Sequence, residues 1–261
     1  MKKTNYSLSP AFNRIELDAL YGQYNRREFI HPDPLEFLYH YEELRDREIV
    51  GLIASSLAYG KVAQILRSVS SVLDKMGPSP WRFLSEKLPE SFHDLFKGFK
   101  HRFTTGEQMG MLLFNIKSVI ERYGSLEACF MAGLKPDDST VLPALTAFVE
   151  HFRDEESSRM FVPSPDRGSA CKRLNLFLRW MTRSDDVDPG GWHGVSPSML
   201  IIPLDTHMYR ISSSFGLTTR KQADMRTAVE ITEGFRAIAP EDPVRYDFAL
   251  TRLGIRDGMD I

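Results

Sequence analysis

The sequence predicts an all-α protein of two helical lobes facing a cleft. Apolar residues recur at helical spacing along most of the 261-residue chain. Cap and breaker residues close those runs at helix-like intervals. Period-two alternation is almost missing, and the best extended run is Met199–Leu204, interrupted by Pro203. With 42% hydrophobic and 26% charged residues, the chain has an ordinary globular composition, and residues 1–261 read as a single unit.

Taken in order, Leu35, Leu38, Tyr39 and Tyr41–Leu44 give an apolar face after the Pro32–Pro34 turn. Ile49, Leu52, Ile53 and Leu57 predict a buried helix. Ile65, Val69, Val72 and Leu73 predict the next, ended by Gly77-Pro78. Met111, Phe114, Val119 and Ile120 mark the inner face of another, stopped near Gly124, and Leu142, Leu145, Phe148, Val149 and Phe152 continue the pattern. Further on, Ser169 is placed to cap a helix carrying Leu174, Phe177, Leu178 and Met181, with Arg179 and Arg183 towards its end. Asp205 is placed to cap a helix with Met208, Ile211 and Phe215, stopped at Gly216. Thr219 opens a helix with Met225, Val229 and Phe235 inward. Asp242-Pro243 reads as a cap and first helical position leading into Phe248, Leu250 and Leu253. The stretch Ser184–Pro197, rich in Asp, Gly and Pro, reads as a linker.

Several classes are excluded. Cys129 and Cys171 are the only cysteines, too few for a disulfide framework, a four-cysteine zinc site or a cysteine-ligated iron–sulfur cluster. The seven histidines form no ligand-spaced cluster, so no metal site and no cofactor is expected. No Gly-rich phosphate loop or nucleophile elbow is present. Ile49–Gly60, broken by Ser55, Ser56 and Tyr59, is too short to span a bilayer. The N-terminal MKKTNYSLSPAFNRIELDAL has no apolar core of a signal peptide, so a cytoplasmic location is expected. The net charge of −2 argues mildly against a nucleic-acid partner. Its distribution does not, because 61–122 and 159–226 each carry +4 while 1–60, 123–158 and 227–261 carry −2, −5 and −3. One basic face on a neutral body is compatible with that alternation.

Two places break the pattern of core and surface. In PSPDRGSACKRLNLFLRWM, Lys172 falls in the first turn of a helix, where the helix field is positive and Arg173 lies beside it. Such surroundings favour the neutral amine that a lysine nucleophile needs. A solvated surface lysine is the plain alternative. In IIPLDTHMYR, an apolar run delivers Asp205 to the start of a helix, either as a simple cap or as a carboxylate at the mouth of a cleft.

Together these motifs resemble the catalytic core of the helix-hairpin-helix DNA glycosylases. In that superfamily a lysine begins the helix after the hairpin, and an apolar run delivers an aspartate followed by an arginine. Gly168-Ser169-Ala170-Cys171-Lys172 is similar to the first element, and Leu204-Asp205-Thr206-His207 with Arg210 to the second. Residues 159–216 would then be the catalytic core, with Val162–Gly168 as a degenerate hairpin. The whole chain also resembles an uncharacterised bacterial domain-of-unknown-function family. The resemblance implies a glycosylase-like cleft for double-stranded DNA with a damaged base or abasic site. Lys172 would attack C1′ and form an imine. Asp205 would stabilise the positive charge on the sugar and help keep the amine deprotonated, and elimination would nick the strand. Gly168, Ser169, Arg173, Arg210 and Lys61 would hold DNA, with Trp192, His207 and Tyr209 around the base. A DNA-binding module without catalysis and an unrelated all-α protein remain open as other readings.

Overall fold

A computed structural model describes residues 13–152 and 162–256. The N-terminal twelve residues of the stretch read for a signal peptide, and positions 159–161 of the expected core, lie outside them. The described chain is mostly helical, with a single two-stranded hairpin. No described helix is long and apolar enough to cross a membrane.

Helix α1 (Arg14–Tyr24) is capped by Asn13, whose side chain accepts from the Glu16 N–H at 2.8 Å. A 3-10 turn, Pro34–His40, follows where an apolar face was expected. Helix α2 (Leu44–Ser56) is the centre of the molecule, and every residue from Glu48 to Leu57 is buried. Gly51 is what lets α9 (Lys172–Thr182) lie against it. A Cβ there would meet Met181 Sδ at 3.2 Å and the Phe177 ring at 3.3 Å. Helix α3 (Val62–Met76) ends at Gly77, as its apolar spacing predicts. Two short helices, α4 (Pro80–Glu86) and α5 (Ser91–Phe96), lead to β1 (Lys100–His101) and β2 (Thr104–Thr105). Helix α6 (Gly106–Tyr123) opens with a Thr105–Gln108 capping box. Its inner face is Met109, Leu112, Leu113, Ile116 and Val119, not Met111 and Phe114; Phe114 is exposed.

Helices α7 (Leu126–Ala132) and α8 (Leu142–Glu150) complete the first half. In the second, Ser184–Pro197 is no linker. It packs Val187, Asp188, Trp192 and Val195 into the interior. Leu200–Leu204 is buried but joins no sheet among the described residues, and the Ile202 N–H is satisfied by Thr232 Oγ1 at 3.0 Å. Helix α10 (Thr206–Ser214) starts at Asp205 as expected. Helix α11 (Met225–Arg236) starts at Asp224 rather than Thr219, because Arg220 folds back onto Thr227 and Asp224 and holds the preceding residues in a turn. Helix α12 (Asp247–Arg256) begins five residues after Asp242, whose carboxylate instead accepts from Arg183. The buried apolar side chains, from Leu17 to Leu253, form one continuous cluster.

Acidic residues of α2 tie the N-termini of other helices to the centre. Asp46 Oδ1 accepts from Ser79 Oγ at 2.8 Å and from the Trp81 N–H at 2.7 Å. Glu48 accepts from the Leu126 and Glu127 N–H groups and from Trp192 Nε1. Burial pushes the Glu48 carboxyl up to about 7 from 4.5, against those three donors. An acid that holds its proton more tightly folded than unfolded stabilises most at low pH, and that contribution is lost as pH rises from 4.5 to about 7. The loss amounts to ~3 kcal/mol. The melting temperature of Glu48→Gln should therefore gain on wild type across that window. Parallel pH profiles for the two proteins would contradict the assignment.

Candidate active site

The loop before α9 places Lys172. Pro165–Arg167 forms a 3-10 turn closed by Gly168, whose φ of 77° is the left-handed region that glycine adopts freely. Cys171 is also left-handed, at φ 47°, which is unfavourable for a residue with a side chain. Its thiol is buried, with Pro163 and Ser169 carbonyls as acceptors, and burial raises it to about 11. Ser169 does not cap α9; its Oγ accepts from the Cys171 N–H at 3.2 Å and stiffens the turn. Its backbone also bridges to Asp224 at the start of α11. Lys172 is thus the first helical residue, delivered by a strained turn held from two sides.

Asp205 comes from the opposite wall. The buried run Leu200–Leu204 ends there, and its two oxygens are used differently. Oδ1 caps α10 by accepting from the Met208 N–H at 2.8 Å, whereas Oδ2 lies 3.3 Å from Lys172 Nζ. The cap of α10 and the carboxylate facing the amine are therefore one residue. Both side chains keep partial access to solvent, at 35% for Lys172 and 24% for Asp205. They line an open cleft of about 570 Å³ together with Ser169, Arg173, His207 and Tyr59.

Arg173 is half-buried against the end of α2. Its Nη1 donates to the Ser56 carbonyl at 2.7 Å, and its guanidinium lies 5.1 Å from the Tyr59 ring centre. Desolvation lowers its pKa, opposed by the Tyr59 and Cys171 side chains. Behind Asp205 lies Asp247, buried and paired with Arg179. Burial pushes Asp247 up to about 6, Arg179 opposes this, and the Asp205 charge adds to it.

The remaining expected residues divide. Gly168, Ser169, Arg173 and His207 stand at or beside the cleft, and Lys61 follows the cleft residue Gly60. Arg210 is exposed, one turn along α10 from the cleft. Tyr209 does not face it; its hydroxyl donates to the Arg220 carbonyl at 2.6 Å. Trp192 is a core residue, 2% exposed, set edge-on to Phe177 at 5.1 Å and bonded to Glu48. Its indole is held inside by the Glu48 carboxylate and the Phe177 ring, so it offers no surface to a base. Tyr59 and the β1–β2 hairpin beside it were not foreseen. Strands of two residues have no period to detect, and a lone Tyr-Gly after a helix carries no motif. Among the described residues, no group of three or more His, Cys, Asp and Glu side chains is placed to hold a metal ion.

The fold and the site define a mostly helical protein with an amine–carboxylate pair in an open cleft. A family model matches residues 33–256, and the chain belongs to that family, described as "Protein of unknown function (DUF2400)". Neither a curated protein nor a solved structure matches it. The resemblance to the helix-hairpin-helix DNA glycosylases is thereby corrected, since no glycosylase family matches. The motifs that suggested it are short, and local physics accounts for each. A glycine takes the left-handed turn, an aspartate caps a helix, and an apolar run is buried.

Proposed function

We propose that this protein is an imine-forming enzyme of DNA repair, a glycosylase with abasic-site lyase activity. It acts in the cytoplasm on double-stranded DNA carrying a damaged base or an abasic site. The reading is carried by the Lys172 amine facing the Asp205 carboxylate at 3.3 Å in a cleft open to solvent. A lysine amine that adds to a sugar carbon needs an acceptor for its proton and a counter-charge for the sugar, and one carboxylate serves both.

At an abasic site the Lys172 nitrogen adds to the C1′ aldehyde, and water leaves as the imine forms. Asp205 Oδ2 takes the proton that the ammonium must shed and passes it to solvent through the open cleft, which leaves the carboxylate ionised again. Loss of a C2′ proton then expels the 3′ phosphate and breaks the strand. Water finally hydrolyses the imine and restores the amine. At a damaged base the same amine displaces the base from C1′, and Asp205 faces the positive charge that develops on the sugar. A nucleotide must leave the base stack to enter the cleft, at a cost of a few kcal/mol.

Borohydride reduction of the wild-type protein on labelled duplexes, carrying either an abasic site or 8-oxoguanine, tests this. A covalent adduct is expected. Binding by gel shift with no adduct would leave a helical module that holds DNA without chemistry. Neither binding nor adduct would remove DNA from the reading.

A further inference from the structure

The turn between β1 and β2 consists of Arg102 and Phe103, and Phe103 is 66% exposed in a protein whose large aromatic side chains are mostly interior. A single exposed aromatic is ordinary in itself. What sets this one apart is how firmly its base is fixed and where it is fixed.

His101, at the end of β1, is fully buried. Its Nδ1 meets Ser68 Oγ at 2.9 Å and its Nε2 meets the Tyr59 carbonyl at 3.0 Å. The Tyr59 hydroxyl, in turn, donates to the His101 carbonyl at 2.9 Å and lies 2.6 Å from Thr104 Oγ1. The two rings pack edge to face at 4.6 Å. Tyr59 is a wall of the cleft that holds Lys172 and Asp205, so the hairpin is clamped to that wall through one shared residue.

Above this clamp, Arg102 takes a left-handed φ of 53°. Its guanidinium lies 5.5 Å from the Phe103 ring centre and 5.9 Å from that of Tyr59. Gly60 makes room for it, since a Cβ there would sit 2.6 Å from Arg102 Cδ. The result is a rigid projection at the rim of the cleft, with an apolar ring outermost. Arg102 and Lys100 lie in the hairpin itself, and Lys61 follows Gly60. That cationic setting suits a phosphate backbone on either side of the ring.

We infer that Phe103 is a wedge that enters the base stack of a duplex lying across the cleft and fills the gap left by the nucleotide drawn towards Lys172. The inference rests on the proposed DNA substrate. Apolar side chains that part a base step are paid in contact area, and each stacked base contributes through its face whatever its identity. A wedge matters only where there is a stack to open. It therefore affects duplex and single strand differently, which an ordinary phosphate or base contact does not.

Fluorescence anisotropy with a tetrahydrofuran abasic-site analogue, in a duplex and in the matching single strand, separates these cases. Phe103→Ala, an exposed position that leaves folding intact, should weaken duplex binding about 10- to 100-fold and leave single-strand binding nearly unchanged. Phe103→Trp should restore the duplex affinity. A 2-aminopurine beside the site should brighten with wild type and less with Phe103→Ala. Equal duplex affinities for wild type and Phe103→Ala would overturn the wedge and leave the DNA reading standing. An equal loss on duplex and single strand would also overturn it, making Phe103 a general contact. A wild type that binds neither oligonucleotide would overturn both the wedge and the DNA reading.

Discussion

Lys172→Ala should reduce the borohydride-trapped adduct to background while duplex binding falls only modestly. The amine is the one group of the pair that can form an imine at C1′, so removing it removes the step that borohydride traps rather than slowing it. Lys172→Arg sharpens the test, because a guanidinium keeps the positive charge facing Asp205 but forms no imine. Asp205→Asn examines the other partner. Its Oδ1 caps α10 and its Oδ2 faces Lys172. Asparagine caps a helix about as well as aspartate, so the fold should be kept. The lost charge should slow adduct formation by about 10²- to 10³-fold, the scale on which one electrostatic stabiliser acts. Asp205→Ala adds a lost cap, costing ~1 kcal/mol. Its melting temperature should fall where that of Asp205→Asn does not. A full adduct yield from Lys172→Ala would sink the assignment of the nucleophile.

The helices that position this pair were legible because their signals are local. The apolar spacing of Ile49, Leu52 and Ile53 needs no knowledge of the partner helix, and Asp205 announces α10 by its cap. Where the reading failed, a tertiary contact decided. In α6 apolar residues fall on more than one side, and packing on α5 selected Met109, Leu113 and Ile116 over Met111 and Phe114. Residues 218–223 have helical spacing but are captured by Arg220 contacts. The Asp, Gly and Pro of 184–197 signalled turns correctly, but they serve buried ion pairs rather than an exposed linker.

The candidate site was half legible for the same reason. Lys172 and Asp205 each break a local rule or fill a conspicuous cap, so each could be singled out alone. That their side chains meet is a long-range fact. Tyr59, Gly60 and Arg102 become a wall only when α2, α3 and the hairpin are brought together. Charge counts were blind in another way. Block 159–226 carries +4, yet Arg179 and Arg183 are interior and are also paired with Asp247 and Asp242, which lie outside the block. Its outward charge is correspondingly different from its formal one.

That interior network supplies the largest expected loss of stability. Asp188 is fully buried and accepts from both Arg179 and Arg183. Arg179 also pairs with Asp247 of α12, and Arg183 with Asp185 and Asp242. Burial raises the Asp188 carboxyl, and the two guanidiniums oppose it. Asp188→Ala leaves two interior guanidiniums short of a counter-charge, a change that costs ~3–5 kcal/mol where a buried pair is broken from one side. In a chain of this length that corresponds to a fall in melting temperature on the order of 10 °C. Asp188→Asn keeps the shape and one acceptor but not the charge, so it should lose nearly as much. An unchanged melting temperature in both would show that the other three aspartates suffice. The network joins α9, which begins at Lys172, to α12, but neither arginine lines the cleft. Assayed well below its own melting temperature, Asp188→Ala should therefore trap DNA as wild type does. That result would separate the arginines that hold the fold from the cations that face the substrate.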